Sequence, residues 1–519
     1  MYITQALHRG LQEHPDKIVS RFGKRTQTFR VMADRVARFA GALRKLGLKD
    51  GDRVAMLASN SDRFLEYGMA VPWAGGAVNP CNIRWSAPEI LYSLVDSDTT
   101  ILLVDETFKP IAEKLRAESP QIQTYIYCGD GVAPEGMHDY EQLIAESEPV
   151  PDAARRGDDL LGLFYTGGTT GAPKGVMVSH NNLCSSHLSL LAEGLAPADS
   201  VFLHATPMFH LANVGVSGPH WLQGNTHSII PAFSPEAVVD AIERDGVTHV
   251  ILVPTMIQML LDHPVMQQKR DLSSLRCILY STSPISDVLL DRALAALPGV
   301  DFVQAYGMTE LSPLATFCPA KYHTPAGREL GKLRSAGRAS YCTEVCIVDA
   351  EGREVPRGTV GEITVRGPNV MRGYWNKPEQ TAAAVRNGWM HTGDGAYMDD
   401  DGFVFIVDRL KDMIISGGEN VFSGEVENAI AQHAAVASCA VIGIPSVEWG
   451  ETVHAVVVLK PPQAAAAEDI IGHCKKLIAG YKCPRSVDFV EALPLSAVGK
   501  ILKNTLREPY WKNAARKVS

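Results

Sequence analysis

Residues 165–175 read Tyr165-Thr166-Gly167-Gly168-Thr169-Thr170-Gly171-Ala172-Pro173-Lys174-Gly175, after a mostly apolar strand expected over Leu160 to Phe164. Glycines let a backbone approach a ligand closely and adopt positive φ. Thr166, Thr169 and Thr170 add hydroxyls, and Lys174 adds a cation. Such a loop suits a polyphosphate. A surface turn is the other reading of the same residues, because Gly and Thr are common turn formers. The GxxxxGK[ST] spacing of a Walker loop is absent.

Working outward, the chain up to about residue 400 alternates helical and strand patterns. Val31, Val36, Ala40, Leu43 and Leu46 fall near one helical face, and Gly47 follows as a stop. Gly51-Asp52 turns into a strand, Arg53 to Ala58. Ile101 to Val104, Val250 to Val253 and Cys277 to Tyr280 are continuous apolar runs, as expected of strands buried on both faces. This predicts an α/β fold with largely parallel sheets sandwiched by helices. After about Gly331, Gly, Pro and charged turns become dense around short strands, Glu344 to Val348 and Gly361 to Val365, which predicts a β-rich subdomain. A new unit begins past Asp408. A helix is expected from Ser423 to His433, strands at Cys439 to Gly443 and His454 to Val458, and a helix near Ile470 to Ile478. The predicted division is an N-terminal domain over 1–409 and a small α+β domain over 410–519, of ordinary domain size.

A chain of 519 residues exceeds one ordinary core, in keeping with that division. Hydrophobic residues at 46% and charged residues at 21% are usual for a soluble globular protein. The net charge of -9 argues against a nucleic-acid partner, which calls for a basic surface. The first residues lack the apolar segment of a signal peptide. No run reaches the roughly 18 apolar residues of a transmembrane helix. The final Lys517-Val518-Ser519 is not a peroxisomal address. The expected location is the cytoplasm. Ten scattered cysteines without a CxxC read as reduced thiols, and a zinc site calls for tighter spacing.

The string at 165–175 closely resembles the phosphate loop of the adenylate-forming superfamily, which includes acyl-CoA synthetases, adenylation domains and luciferases. In look it is nearest to aryl- and fatty-acid–CoA ligases, with Gly167 where many members carry serine. The resemblance extends along the chain. Pro207-Met208-Phe209-His210 resembles the motif at the acyl pocket, which implies His210 between the adenylate and the acid. Tyr280-Ser281-Thr282-Ser283-Pro284-Ile285 takes the place of a glycine-rich adenine loop, with Thr282 and Ser283 as the small residues beside the purine. Gln304-Ala305-Tyr306-Gly307-Met308-Thr309-Glu310 matches the nucleotide motif. Tyr306 can stack on adenine, Thr309 can donate to the α-phosphate, and Glu310 offers Mg²⁺ a hard oxygen, with Thr166 as a further ligand. Thr392-Gly393-Asp394 resembles the ribose motif, since a carboxylate accepts both protons of a vicinal diol. Asp408-Arg409-Leu410-Lys411-Asp412 resembles the hinge, with Arg409 reaching the ribose and Lys411 between domains. Ser416, Gly417 and Gly418 form the loop that lines the pantetheine tunnel in this family, and Lys500 ends the C-terminal lysine motif Pro494 to Lys500.

The resemblance implies an ATP-dependent, AMP-forming acid–CoA ligase using ATP, Mg²⁺ and coenzyme A. Its catalytic residues are then Lys500, His210, Glu310 and Thr309. The acid pocket holds His210, Leu211, Asn213, Val214 and Gly307, with Trp221 nearby. That wall carries no cation for a second carboxylate and no acid for an amino group, so the expected substrate is an uncharged aryl, aryl-propenoic or medium- to long-chain fatty acid. Arg84 is a candidate for the CoA phosphates. The chain ends soon after the lysine motif, so free CoA is the expected acceptor. A homodimer is an open assembly. The alternatives are a ligase loading a separate carrier protein, a luciferase-like oxygenase, and a silent nucleotide-binding homologue. The complete set of charged groups argues against the last.

Overall fold

The computed structural model describes residues 1–167, 172–283, 285–409, 412–417, 419–496 and 499–512. Among these residues four sheets form. The first has nine strands. Its parallel centre runs through Asp301–Tyr306, Cys277–Tyr280, His249–Leu252, Val201–His204, Thr226–Ile229 and Ile18–Phe22, with antiparallel strands at both ends. The second has eight strands and centres on Leu160–Thr166, Ala77–Pro80, Arg53–Leu57, Ile101–Val104 and Thr124–Tyr127. The strands expected to be buried on both faces are so: every residue of Ile101–Val104, His249–Leu252 and Cys277–Tyr280 is buried. Helices cover the sheets, as parallel strands require.

Helix Phe29–Lys45 shows how local signals place an element. Thr28 caps it, its side chain accepting from Val31 N–H, and Gly47 leaves at φ 97°. One expected face residue is corrected. Val31 is exposed, while Met32 and Ala33 join Val36, Ala40 and Leu43 inside. The buried stripe runs Phe29, Met32, Ala33, Val36, Ala40 and Leu43 at helical spacing, and Val31 falls off it toward solvent.

The third sheet is antiparallel and pairs Glu344–Val348, Gly361–Arg366, Trp389–Met398 and Val404–Arg409. It shares the large core that runs from Ala6 to Val404. Past it, Ile414–Ser416, Glu419–Val421, Val436–Ser446, Gly450–Leu459 and Ser486–Phe489 make a fourth sheet. Its core is its own and includes Ile414, Val426, Ile430, Val441, Val457 and Ile470. Both strands of the Val436–Ser446 and Gly450–Leu459 pair run further than their apolar centres suggested, because the ladder continues through Pro445 and Glu451. The two helices end earlier than expected, at Ala431 and Cys474. All ten cysteines are free. No helix among the described residues is long and apolar enough to cross a membrane.

Candidate active site

The predicted phosphate loop joins two antiparallel strands. Leu160–Thr166 enters it, Lys174–Ser179 leaves it, and Thr166 pairs with Lys174 across its base. Gly168, Thr169, Thr170 and Gly171 lie outside the described residues. Tyr165 turns away and donates its hydroxyl to Asp96 at 2.7 Å, which anchors the entering strand. Lys174 lies over the Tyr374 ring at 4.8 Å, and the Tyr374 hydroxyl donates to Glu310 at 2.9 Å. The cradle and the 304–310 motif therefore meet through Tyr374. Glu310 is buried, and burial raises its carboxyl above the usual range against the opposing pull of Tyr374, Arg409 and Lys174. That is the environment in which a carboxylate gains most from a nearby cation. Among the described residues no group of three His, Cys, Asp or Glu could hold a metal by itself. A Mg²⁺ here would need phosphate and water ligands besides Glu310 and Thr166, which is its usual preference.

A second cluster sits beside the first. Strand Trp389–Met398 pairs with Val404–Arg409 so that Asp394 faces Arg409, and their side chains form an ion pair at 3.3 Å. The Tyr306 hydroxyl donates to Asp394 at 2.7 Å. Burial, with the Asp394 charge beside it, pushes the Tyr306 phenol well up, so it stays protonated. Tyr306, Asp394 and Arg409 thus come together from three distant motifs. Gly307 is required for packing: a Cβ there would fall 1.8 Å from the Pro313 carbonyl oxygen. Ala305 packs its methyl into the core, and Gln304 accepts from Tyr280 at 3.2 Å. Thr309 opens the short turn Thr309–Leu311 that carries Glu310. In the adenine-side loop, Thr282 holds φ 74°, a conformation that costs a β-branched residue energy. Its Oγ1 is buried without a partner among the described residues.

His210 caps helix Leu211–Leu222, its Nδ1 accepting from Ala212 N–H at 3.2 Å. The ring proton therefore resides on Nε2, leaving a neutral donor. Burial, and then the charge of Lys500, lower its pKa to about 4. The charge of Lys500 is thus felt at His210 although Lys500 comes from the fourth-sheet unit. It follows Gly499 in a tight loop closed by Ser496 N–H to the Lys500 carbonyl at 2.7 Å and by Lys500 N–H to Ser496 Oγ at 3.0 Å. Gly499 takes φ 75°, and a Cβ there would fall 2.6 Å from Thr255 Oγ1. Arg84 donates to the Ser496 carbonyl at 3.4 Å, so in this conformation it serves the lysine loop. Ser416 is buried, and Gly417 packs at Trp449. Lys411 and Gly418 lie outside the described residues.

A cavity of about 90 Å³ runs beside helix Leu211–Leu222 and is walled by Phe64, Gly68, Met208, Val214, Gly218 and Trp221 among others. No Lys, Arg, Asp or Glu lines it. Asn213 lines it too, but its amide is used internally, on Thr206 and His204. Leu211 is buried in the large core. Sequence reasoning missed Tyr374, Asp96 and Gly68, which stand in no recognisable motif.

The fold and this site define a nucleotide-binding α/β enzyme with a separate lysine-bearing unit. Residues 7–375 match the AMP-binding enzyme family and residues 425–500 match the AMP-binding enzyme C-terminal domain, so the chain belongs to that family. It is 40% identical over 498 residues to a feruloyl-CoA synthase of Amycolatopsis sp, covering 96% of each chain. It is 36% identical over 499 residues to the fatty acid–[acyl-carrier-protein] ligase ScoC of Streptomyces coeruleorubidus, covering 95% of this chain and 94% of that one. Among solved structures, ATP-bound MatB from Rhodopseudomonas palustris superposes with a TM-score of 0.88 at 30% identity, covering 99% of both chains.

Proposed function

We propose that the chain is an AMP-forming acid–CoA ligase that activates an uncharged, mainly apolar carboxylic acid with ATP and passes the acyl group to CoA. The observation that carries this reading is the clustering of Tyr306, Asp394 and Arg409 beside the Lys174–Tyr374–Glu310 chain, which brings four separate motifs to one place. A carboxylate is a poor acyl donor because its leaving group is oxide. Attack on the α-phosphorus of ATP makes a mixed anhydride with AMP as the leaving group. The obstacle is the meeting of two anions, so catalysis is positioning and charge neutralisation. Lys500 would neutralise the carboxylate and α-phosphate, while Lys174 and the loop it closes would hold the departing pyrophosphate. Asp394 and Arg409 would hold the ribose and Tyr306 the adenine. Glu310 and Thr166 would hold Mg²⁺, which supplies charge neutralisation at the outer phosphates. Neutral His210 would donate from Nε2 to the acyl-adenylate.

Met208, Asn213 and Val214 line the cavity beside helix Leu211–Leu222, while His210, Leu211 and Gly307 do not, and its apolar wall supports an apolar acid tail. The separate core of the fourth-sheet unit supports a boundary at 409/410, and for the thiol step Lys500 would withdraw by rotation of residues 410–519 about Lys411. The Ser416–Gly418 loop would then line the thiol path. AMP formation measured across a panel of acids, with and without CoA, tests the reading. Acid-dependent pyrophosphate release with a CoA thioester supports it. Release without CoA thioester, but with thioester on an acyl carrier protein, replaces CoA with the carrier. Absence of AMP with every acid defeats the assignment.

A further inference from the structure

Asn60 belongs to none of the motifs above. It follows strand Arg53–Leu57 of the eight-stranded sheet, precedes helix Asp62–Trp73, and is 5% exposed. Its side chain nevertheless serves the nine-stranded sheet. Nδ2 donates to the carbonyls of Thr206 at 3.0 Å and His204 at 3.4 Å, and Oδ1 accepts from Met208 N–H at 2.8 Å. Its own N–H donates to the Pro231 carbonyl at 3.1 Å. The gripped segment connects strand Val201–His204 to helix Leu211–Leu222 and ends at His210.

The same turn is held from the helix side. Asn213 Nδ2 donates to the Thr206 carbonyl and to Thr206 Oγ1, both at 3.0 Å. With Nδ2 as donor, Asn213 Oδ1 must accept, and it does so from His204 Nδ1 at 2.7 Å. His204 Nε2 then accepts from His227 Nδ1 at 3.0 Å. Two amides from opposite sides thus share one carbonyl, four residues before His210. Asparagine alone combines a donor and an acceptor at this reach; aspartate keeps the shape and loses the donors.

We propose that Asn60 is a positioning residue for adenylate formation, fixing the turn that sets where His210 Nε2–H meets the acyl-adenylate. The inference rests on the role given to His210 above. It is tested in the full-length protein by a cycle of Asn60→Asp, His210→Ala and the double variant, reading kcat and KM for acid-dependent pyrophosphate release together with Tm. Asn60→Asp is expected to lower kcat roughly ten- to a hundredfold, with KM for ATP within about twofold. The double variant is expected to be no slower than His210→Ala alone, although its Tm falls further, because coupled sites are non-additive. Multiplicative losses with an impaired His210→Ala would overturn the Asn60 inference and leave the role of His210 standing. A wild-type rate in His210→Ala would remove both. Should Asn60→Asp not accumulate, Asn213→Asp cuts the same turn from the helix side and enters the cycle with the same deciding outcomes.

Discussion

The turn carrying His210 and the loop carrying Lys500 are held differently. The first lies inside the protein, gripped by Asn60 and Asn213 through buried hydrogen bonds. The second is closed on itself by Ser496 and touches the larger unit through Arg84 and at Gly499. A group that must stay in place through both half-reactions gains from buried amides, which leave unpaired polar atoms if the turn shifts. A group that must leave between steps gains from contacts that water can replace. The contrast is between a turn held by buried amides and a loop closed on itself.

The largest expected effect breaks the withdrawable side. Lys500→Ala should slow acyl-adenylate formation by on the order of 10²–10³, while thioester formation from supplied acyl-AMP persists. Equal loss of both half-reactions, followed by stopped-flow and product analysis, would refute the assignment of Lys500 to the first step. Lys411→Pro should reverse the pattern by restricting the backbone where the units join. Normal rates in both half-reactions of that variant would end the rotation idea.

A smaller effect is expected in the acid cavity. A Cβ at Gly68 meets open space within 4 Å, and Gly68 lines the cavity. Gly68→Leu should therefore fold, fill the cavity and shift kcat/KM toward shorter acids by roughly ten- to a hundredfold. An unchanged acid profile would place the acid elsewhere.

The smallest and broadest effect concerns stability. Burial pushes His187, His204 and His249 down to about 4 and His220 and His227 well below their usual value of 6.5. The unfolded chain then binds more protons than the folded one between pH 6.5 and 4. Their contribution is complete above pH 6.5 and is lost as pH falls through that window. Tm measured in steps from pH 7.5 to 4.5 should decline below 6.5; a flat profile would show that these rings pick up protons without unfolding the core.

Legibility varied with how local the signal was. The strands Ile101–Val104 and Cys277–Tyr280 were readable to the residue, because a strand buried on both faces is a short continuous apolar run bounded by polar residues. Tyr306, Glu310, Asp394, Arg409 and Lys500 stood out as motifs, each a string of neighbours, and the structure groups Tyr306 with Asp394 and Arg409. Tyr374 did not stand out, since it gains its place only when its short strand Gly373–Tyr374 pairs beside Lys174–Ser179. Nor did Asn60, about 150 residues from its partners and indistinguishable in sequence from any turn asparagine.

By itself, then, the amino-acid sequence determined the parallel strands and supplied the glycine-rich string and the charged groups of the motifs, because each depends on neighbours a few residues apart. Only the tertiary structure decided that Tyr374 links Lys174 to Glu310, that His210 is a neutral Nε2 donor, and that the charge of Lys500 acts on it. Those facts depend on burial and on hydrogen bonds between segments that only the sheet order brings within 3 Å or so of one another.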